Sequence, residues 1–312
     1  MIPSAYRLVE VTSEPWAYDA PVQPTDPGLS LGAPPTDPAA SVATVELISR
    51  WPADHVAVAA VGPEGILASS GDLHHRFALA SVTKPLVAAA VWMACEEGAM
   101  QLDDAAGPPG ATVRHLLAHA AGLGPDEPFR LAEPGTRRIY SNCGFELLGE
   151  LLEQRTGMPM ASYLRRGICE PLGMSATSLD GSPASGATST VADLAAFAQE
   201  LLRPRLFDPS TIAEVRTEQF VGIGGALPGF GSHQPNPWGL GVEIRGQKSP
   251  HWTGRTNSPA TFGHFGRSGT FVWIDPERSV ALIGLGDHDF GPWAGVLWPA
   301  LSDVVTDELG GF

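Results

Sequence analysis

The stretch Ala80-Ser81-Val82-Thr83-Lys84-Pro85 lies where a short apolar segment, residues 77–80, gives way to a sequence with helical spacing. Ser81 and Lys84 are three residues apart, so a helix that begins here places a nucleophilic hydroxyl and an amine on one face. Helix capping explains the same pattern without chemistry, because serine is a preferred N-cap and proline is tolerated in the first turn. From these residues alone a plain helix start is the favoured interpretation, since Ser-x-x-Lys spacing often arises by chance.

The composition predicts a soluble globular protein. The 312 residues are 43% hydrophobic, which is enough for a substantial core in one large domain or two lobes. The formal net charge of −15, from 34 acidic and 19 basic residues, argues against nucleic acid or an anionic membrane as a partner. The longest apolar run, residues 86–95, is too short to span a bilayer.

The cysteine pattern and the N-terminus predict a cytoplasmic protein. Cys95, Cys143 and Cys169 are odd in number and form no Cys-x-x-Cys pair, so we expect reduced thiols. Residues 1–7 lack a basic segment followed by an apolar one and do not resemble a secretory signal. His115 and His119 have i,i+4 spacing, but without a nearby glutamate or third ligand they are predicted to be structural. We therefore predict no metal and no cofactor.

Hydrophobic periodicity divides the chain into an arm, two sheet-forming segments and a helical middle. The proline-dense residues 1–39 predict an extended arm. Strands are expected over 55–61 and 65–69 as a hairpin and again within 238–285, and helices over 41–50, from Ser81, over 113–120 and 144–156, from about 190, and over 293–308. Strands at both ends predict an α+β sheet domain formed by 40–96 and 219–312. A mostly helical domain, 97–218, is inserted between them, with the active site between the two domains.

Two further motifs follow the first in order, Tyr140-Ser141-Asn142 and His264-Phe265-Gly266. They are accompanied by the flanking segments 115–123, 134–136, 170–174 and 239–241. With these motifs the chain resembles the serine β-lactamase and penicillin-binding-protein superfamily, within its class C-like branch of family VIII carboxylesterases and D-aminopeptidase-like amidases. The resemblance covers roughly residues 42–285. It implies a β-lactamase/transpeptidase-like fold of three αβα layers, with an antiparallel sheet flanked by helices.

The resemblance also implies a role for each motif residue. Ser81 is expected to be the nucleophile, and Lys84 and Tyr140 are assigned jointly as the base, because strongly coupled groups share their titration. Asn142 is expected to hold Lys84 and the substrate through its side-chain amide. The backbone N–H groups of Ser81 and Arg267 are expected to bind the developing oxyanion.

The third motif bears on the substrate. Many β-lactamases and penicillin-binding proteins have Lys-Thr-Gly there, whereas this chain has His264, which an ordinary pKa would leave mostly neutral near pH 7. Gly266 suits a strand that a ligand backbone approaches closely, and Arg267 is a candidate partner for a substrate carboxylate. These residues favour a hydrolase for a small ester or amide over an efficient β-lactamase. An acyltransferase of a biosynthetic pathway and a sensor without turnover remain the alternatives, and the oligomeric state is left open.

Overall fold

The structure is a computed structural model that describes residues 41–309, so the predicted arm lies outside the described residues. Its helices are α1 Val42–Ile48, α2 Thr83–Glu96, α3 Val113–Leu117, α4 Asn142–Thr156, α5 Met160–Leu164, α6 Glu170–Leu172, α7 Val191–Leu202, α8 Pro209–Val215 and α9 Pro292–Leu309. A 3-10 turn, Ala80–Val82, precedes α2, and a π-helical turn, Arg165–Cys169, joins α5 to α6. The strands are β1 Val56–Gly62, β2 Gly65–Ser70, β3 Phe77–Ala78, β4 Ser178–Leu179, β5 Ala187–Ser189, β6 Gly225–Leu227, β7 Gly231–His233, β8 Glu243–Ile244, β9 Phe262–Gly266, β10 Thr270–Asp275 and β11 Val280–Gly286.

The main sheet is assembled from both ends of the described chain. Its six strands run in the order β2-β1-β11-β10-β9-β8, and every neighbouring pair is antiparallel. The central pairing joins Val56 to Gly286 and Val61 to Ala281, so a segment near residue 60 lies beside one more than 200 residues later. This arrangement confirms the antiparallel sheet expected from the sequence.

Strand alternation divides the core into two apolar clusters, one on each face of the sheet. On one face Val58 and Ala60 pack with Trp273 and, from α9, Trp298. On the other face Ala57, Ala59 and Val61 belong to a larger cluster that includes the apolar residues of α2 and α7. Helices therefore cover both faces, which confirms the three-layer α+β architecture.

Most predicted elements form, and the differences have local causes. The expected helix stop at Gly157 is present, because this glycine adopts the left-handed conformation with a φ of 69°. The expected strand over 238–244 is reduced to two residues. Gly239 and Gly241 interrupt it, because the chain packs closely against other segments at both positions. A Cβ on Gly239 would clash with the backbone of Val215, and one on Gly241 would clash with the side chain of Ala88. The two-domain division remains a prediction, and α7 from the middle of the chain packs on β1, β10 and β11.

The edge of the sheet next to the first and third sequence motifs is only partly paired. Edge strand β8 pairs with β9 at Gly263 and Phe262, and the rest of β9, from His264 to Gly266, extends beyond β8. That free part of β9 packs against the 3-10 turn that carries Ser81. The fold thus brings the first and third sequence motifs together at one sheet edge.

A buried ionic network is centred on Glu243 of the edge strand β8. Glu243 on β8 accepts hydrogen bonds from Trp252 Nε1 and from Lys248 Nζ, and His251 Nε2 lies 2.9 Å from its Oε1. Burial alone would raise the pKa of Glu243, but His251 and Lys248 outweigh it and lower that pKa to about 2. The carboxylate is therefore ionised and balances the buried ammonium of Lys248.

We expect Glu243→Gln to destabilise the protein by about 3–5 kcal/mol, because it leaves the Lys248 ammonium buried without its counter-charge. The free energy of unfolding from urea denaturation at pH 7 measures this. Glu277→Gln, at an exposed turn position between β10 and β11, is the matched control and should change stability by less than about 0.5 kcal/mol. Equal stabilities of the two variants would contradict the ionic role of Glu243.

Candidate active site

Ser81 lies in the middle of the 3-10 turn, and its side chain is not used as a cap. The N-cap position of α2 is Val82, so the capping interpretation of Ser81 is wrong. Ala80, directly before it, has a φ of 45°, a left-handed conformation that is unusual for a residue other than glycine. Such strain costs about 1–3 kcal/mol and is characteristic of functional sites. The turn is held by Thr270 Oγ1, which donates to Leu79 O at 2.8 Å.

The Ser81 hydroxyl is contacted by the two other residues predicted to be catalytic. Tyr140 OH donates to Ser81 Oγ at 2.7 Å, and Lys84 Nζ lies 3.2 Å from the same oxygen. Lys84 is one helical turn after Ser81, whereas Tyr140 comes from the loop before α4. An amine and a phenol thus converge on the oxygen of a third side chain, a serine hydroxyl with the chemistry of a nucleophile.

The Lys84 amine is enclosed and fully hydrogen-bonded. Besides Ser81, it donates to Asn142 Oδ1 at 2.7 Å and to the backbone carbonyl of Ala184 at 2.9 Å. It also lies 4.6 Å from the centre of the Tyr140 ring. Burial lowers the pKa of Lys84 to about 7, against the opposing charges of Asp126 and Glu146. A large fraction of the amine is therefore neutral at physiological pH, as a base requires.

The start of α4 positions Tyr140 and Asn142. Ser141 is the N-cap, since its Oγ accepts from Gly144 N at 3.2 Å, and Asn142 is the first helical residue rather than the cap. Asn142 Nδ2 donates to Asp126 at 2.7 Å, which turns its Oδ1 toward Lys84. Burial raises the pKa of Tyr140 above its ordinary value, so the phenol keeps its proton near neutral pH.

Strand β9 forms the opposite wall. A Cβ on Gly266 would lie 2.3 Å from Leu79 O and 2.4 Å from Thr270 Oγ1, so glycine is needed for contact with the segment that carries Ser81. Within residues 41–309, the backbone N–H groups of Ser81 and Arg267 are not used in any turn, cap or side-chain hydrogen bond. Two free N–H donors flanking this contact are what an oxyanion site needs.

The remaining two predicted residues are placed differently from each other. His264 is buried, with its ring 5.8 Å from that of Tyr140 and its Nδ1 2.7 Å from Phe265 O. Burial and the charge of Lys84 lower the pKa of His264 to about 3, so it is neutral at pH 7, as the sequence predicted. The Arg267 side chain points to solvent, with Nε 3.8 Å from Asp289, and is not part of the cluster around Ser81.

Three contributions to the site were not found from the sequence. The Ala184 carbonyl and the Asp126 carboxylate come from loops with no motif of their own, and no sequence signal marks them. His119 was predicted to be structural, but its side chain contacts Ser141 N and the ring of Tyr140 in this site.

In residues 41–309 no group of three or more histidine, cysteine or acidic residues could hold a metal ion, and no helix is long and apolar enough to cross a membrane.

The antiparallel αβα fold is that of the serine β-lactamase and penicillin-binding-protein superfamily. The beta-lactamase family model matches residues 56–296, and the chain belongs to that family.

Known relatives agree with this assignment. A beta-lactamase (Mb2281c) from Mycobacterium bovis is 54% identical, with a TM-score of 0.84 over 86% of this chain and 99% of that chain. The "Putative D-alanyl-D-alanine carboxypeptidase" of Salmonella enteritidis PT4 is 26% identical over 221 residues, 52% of this chain and 48% of that protein. The chain thus spans about half the length of the curated relatives it matches. EstCE1, a hydrolase with promiscuous acyltransferase activity, shares the fold at 18% identity, with a TM-score of 0.70 over 84% of this chain and 96% of that chain.

Proposed function

We propose that the protein is a serine hydrolase that forms an acyl-enzyme on Ser81 and hydrolyses a small ester or amide. The observation that carries this proposal is the convergence of Lys84 Nζ and Tyr140 OH on Ser81 Oγ, at 3.2 and 2.7 Å. A serine hydroxyl is a poor nucleophile unless a nearby base takes its proton, and a lysine whose pKa is near 7 provides that base.

In the proposed acylation step, the neutral Lys84 amine takes the proton from Ser81 Oγ while that oxygen bonds to the substrate carbonyl carbon. The carbonyl oxygen becomes an oxyanion and is bound by the N–H groups of Ser81 and Arg267. The leaving group departs with a proton that the Lys84 ammonium supplies directly or through the Tyr140 hydroxyl. In deacylation, Lys84 takes a proton from water while the water oxygen bonds to the acyl carbon. The bond between that carbon and Ser81 Oγ then breaks, the acid product leaves, and the Lys84 ammonium returns the proton to Ser81 Oγ.

The substrate preference rests on the third motif. A neutral, buried His264 offers no positive charge to a substrate carboxylate, in contrast to the lysine that many β-lactamases have there. We therefore propose that esters and amides, including D-amino acid amides, are better substrates than β-lactams. The likeness to the carboxypeptidase-named relative supports an amide substrate, and the likeness to Mb2281c supports testing a β-lactam alongside.

The direct test is a burst experiment with a short p-nitrophenyl ester, followed by intact mass measurement after a slow acylating agent. We expect one burst equivalent and one adduct, located by peptide mapping on the peptide that contains Ser81. Turnover of nitrocefin should be slower than that of the ester or of a D-amino acid amide. An adduct on another residue would overturn the proposal, and a stable Ser81 adduct with no turnover would instead support a sensor.

The pKa of Lys84 predicts how activity depends on pH. Because the neutral amine is the reactive form, kcat/KM should rise about tenfold per pH unit well below pH 7 and level off near pH 8. The Tyr140 phenol beside this amine keeps its proton throughout the range, because burial raises its pKa above the ordinary value. The measurement is kcat/KM from pH 5.5 to 8.5 with an uncharged ester. A flat profile over that range would exclude Lys84 as the base.

A further inference from the structure

His119 lies directly behind the predicted catalytic tyrosine and contacts the chain on both sides of it. Its backbone carbonyl accepts a hydrogen bond from Ile139 N at 2.9 Å, and its Nδ1 accepts one from Ser141 N at 3.1 Å. These donors are the two neighbours of Tyr140 in sequence. One residue therefore fixes the backbone immediately before and immediately after Tyr140.

The same residue also packs on the tyrosine ring. The ring centres of His119 and Tyr140 are 4.6 Å apart, and Trp238 stands edge-on to His119 at 4.7 Å with an interplanar angle of 88°. His119 is 2% exposed. The phenol is thus held from behind by a buried ring, and its hydroxyl is directed at Ser81 Oγ.

The hydrogen bond from Ser141 N identifies which nitrogen of the His119 imidazole carries the proton. A nitrogen that accepts from a backbone N–H carries no proton, so Nδ1 is the acceptor and the proton of the neutral ring is on Nε2. That Nε2 is buried and has no hydrogen-bond partner among residues 41–309. Burial and the charges of Lys84, His264 and Arg138 lower the pKa of His119 well below its ordinary value. The ring is therefore neutral at pH 7.

The backbone around His119 makes this support rigid. His119 has a φ of 53°, a left-handed conformation that turns the chain after α3. The neighbouring carbonyl of Ala118 accepts from the guanidinium of Arg138, which is buried and also donates to the carbonyls of Gln219 and Asn236. The segment from Arg138 to Ser141 is therefore attached to His119 and Ala118 by three hydrogen bonds.

We propose that His119 is a positioning residue that acts through Tyr140: it holds the phenol against Ser81 Oγ by bonding to both flanking backbone N–H groups and by packing on the ring. This role rests on the proposed hydrolase function. A displacement of about 1 Å at a reacting group can cost roughly 100-fold in rate, so the contacts that fix Tyr140 have kinetic consequences.

The test compares two replacements of His119. Asparagine places its Oδ1 near the position of Nδ1 and tolerates a positive φ, so His119→Asn keeps the acceptor for Ser141 N. Leucine fills a similar space without an acceptor. We expect kcat/KM for an uncharged p-nitrophenyl ester to fall about 10- to 100-fold in His119→Leu and to stay within about threefold of the unmodified protein in His119→Asn.

A double-mutant cycle with Tyr140→Phe tests whether the effect passes through the tyrosine. If it does, His119→Leu should cost less than about threefold when the Tyr140 hydroxyl is already absent. Thermal unfolding of each variant shows that the comparison is made on folded protein. If His119→Leu does not fold, His119→Gly replaces it, because glycine adopts a φ of 53° without strain and also lacks the acceptor.

The proposal is overturned if His119→Asn loses as much activity as the variant without an acceptor. It is also overturned if that variant costs the same factor with and without the Tyr140 hydroxyl, since His119 would then act independently of Tyr140. A failure of the hydrolase proposal itself looks different, because the unmodified protein would then give no acyl-enzyme on Ser81.

Discussion

Replacement of Ser81 by alanine should lower kcat/KM for a short p-nitrophenyl ester by about 10,000-fold or more and remove both the burst and the mass adduct. The reason is that Ser81 Oγ accepts the contacts of both Lys84 and Tyr140, so the substitution removes the proposed nucleophile itself. The measurement is steady-state and burst kinetics at pH 8, where the Lys84 amine is mostly neutral.

Ser185→Ala is the matched control for this substitution. Ser185 is exposed and directly follows Ala184, whose carbonyl accepts a hydrogen bond from Lys84. It is therefore a serine next to a site residue that makes none of the contacts of Ser81. We expect its activity to stay within about twofold of the unmodified protein. Full turnover in Ser81→Ala would refute the acyl-enzyme mechanism.

The second large effect concerns Lys84. Lys84→Met should reduce the rate of Ser81 acylation by about 1,000-fold, because methionine has a similar length but no amine to take the serine proton. Lys84→Arg should be nearly as inactive, since a guanidinium keeps its proton at any pH used for the assay. Acylation is measured as the single-turnover burst rate, with thermal unfolding as the check on folding.

The arginine variant separates two roles for this residue. If Lys84 acted only through its positive charge, arginine would preserve much of the activity that methionine loses. Substantial activity in Lys84→Arg would therefore assign the proton transfer to Tyr140, and loss in both variants supports the amine as the base. The pH profile of the residual activity adds to this comparison, because it should lose the rise centred near pH 7.

Local patterns were sufficient for most of the secondary structure. Two short apolar runs separated by a turn predicted the hairpin of β1 and β2, and a helix start near residue 190 with its following apolar spacing predicted α7. The pattern was insufficient at 238–244, where glycines pack against other segments and the strand shortens to Glu243–Ile244. Periodicity describes which face of an element is buried, whereas a close backbone contact depends on a partner distant in sequence.

The helix caps near the active site show the same difference between what a local pattern predicts and what tertiary packing determines. Serine and asparagine are both favoured at helix starts, so by residue type alone both Ser81 and Asn142 are candidate caps. In the structure, Val82 and Ser141 occupy the cap positions of α2 and α4. The two motif residues are thereby free to face Lys84, which only the packing of the two helix starts against each other could determine.

The six-residue stretch that begins at Ala80 and the motifs at Tyr140 and His264 together determined the family and the fold from the sequence. Those motifs specify which side chains are present and at which helix start or strand they lie. Only the tertiary structure determined the state of those groups. The pKa of Lys84 near 7 results from burial, and the contacts from Ala184, Asp126 and His119 come from loops that carry no periodic signal. Desolvation and hydrogen bonds between distant segments, such as the one that joins Lys84 to Ala184 100 residues later, exist only in the folded chain, so no local pattern could encode them.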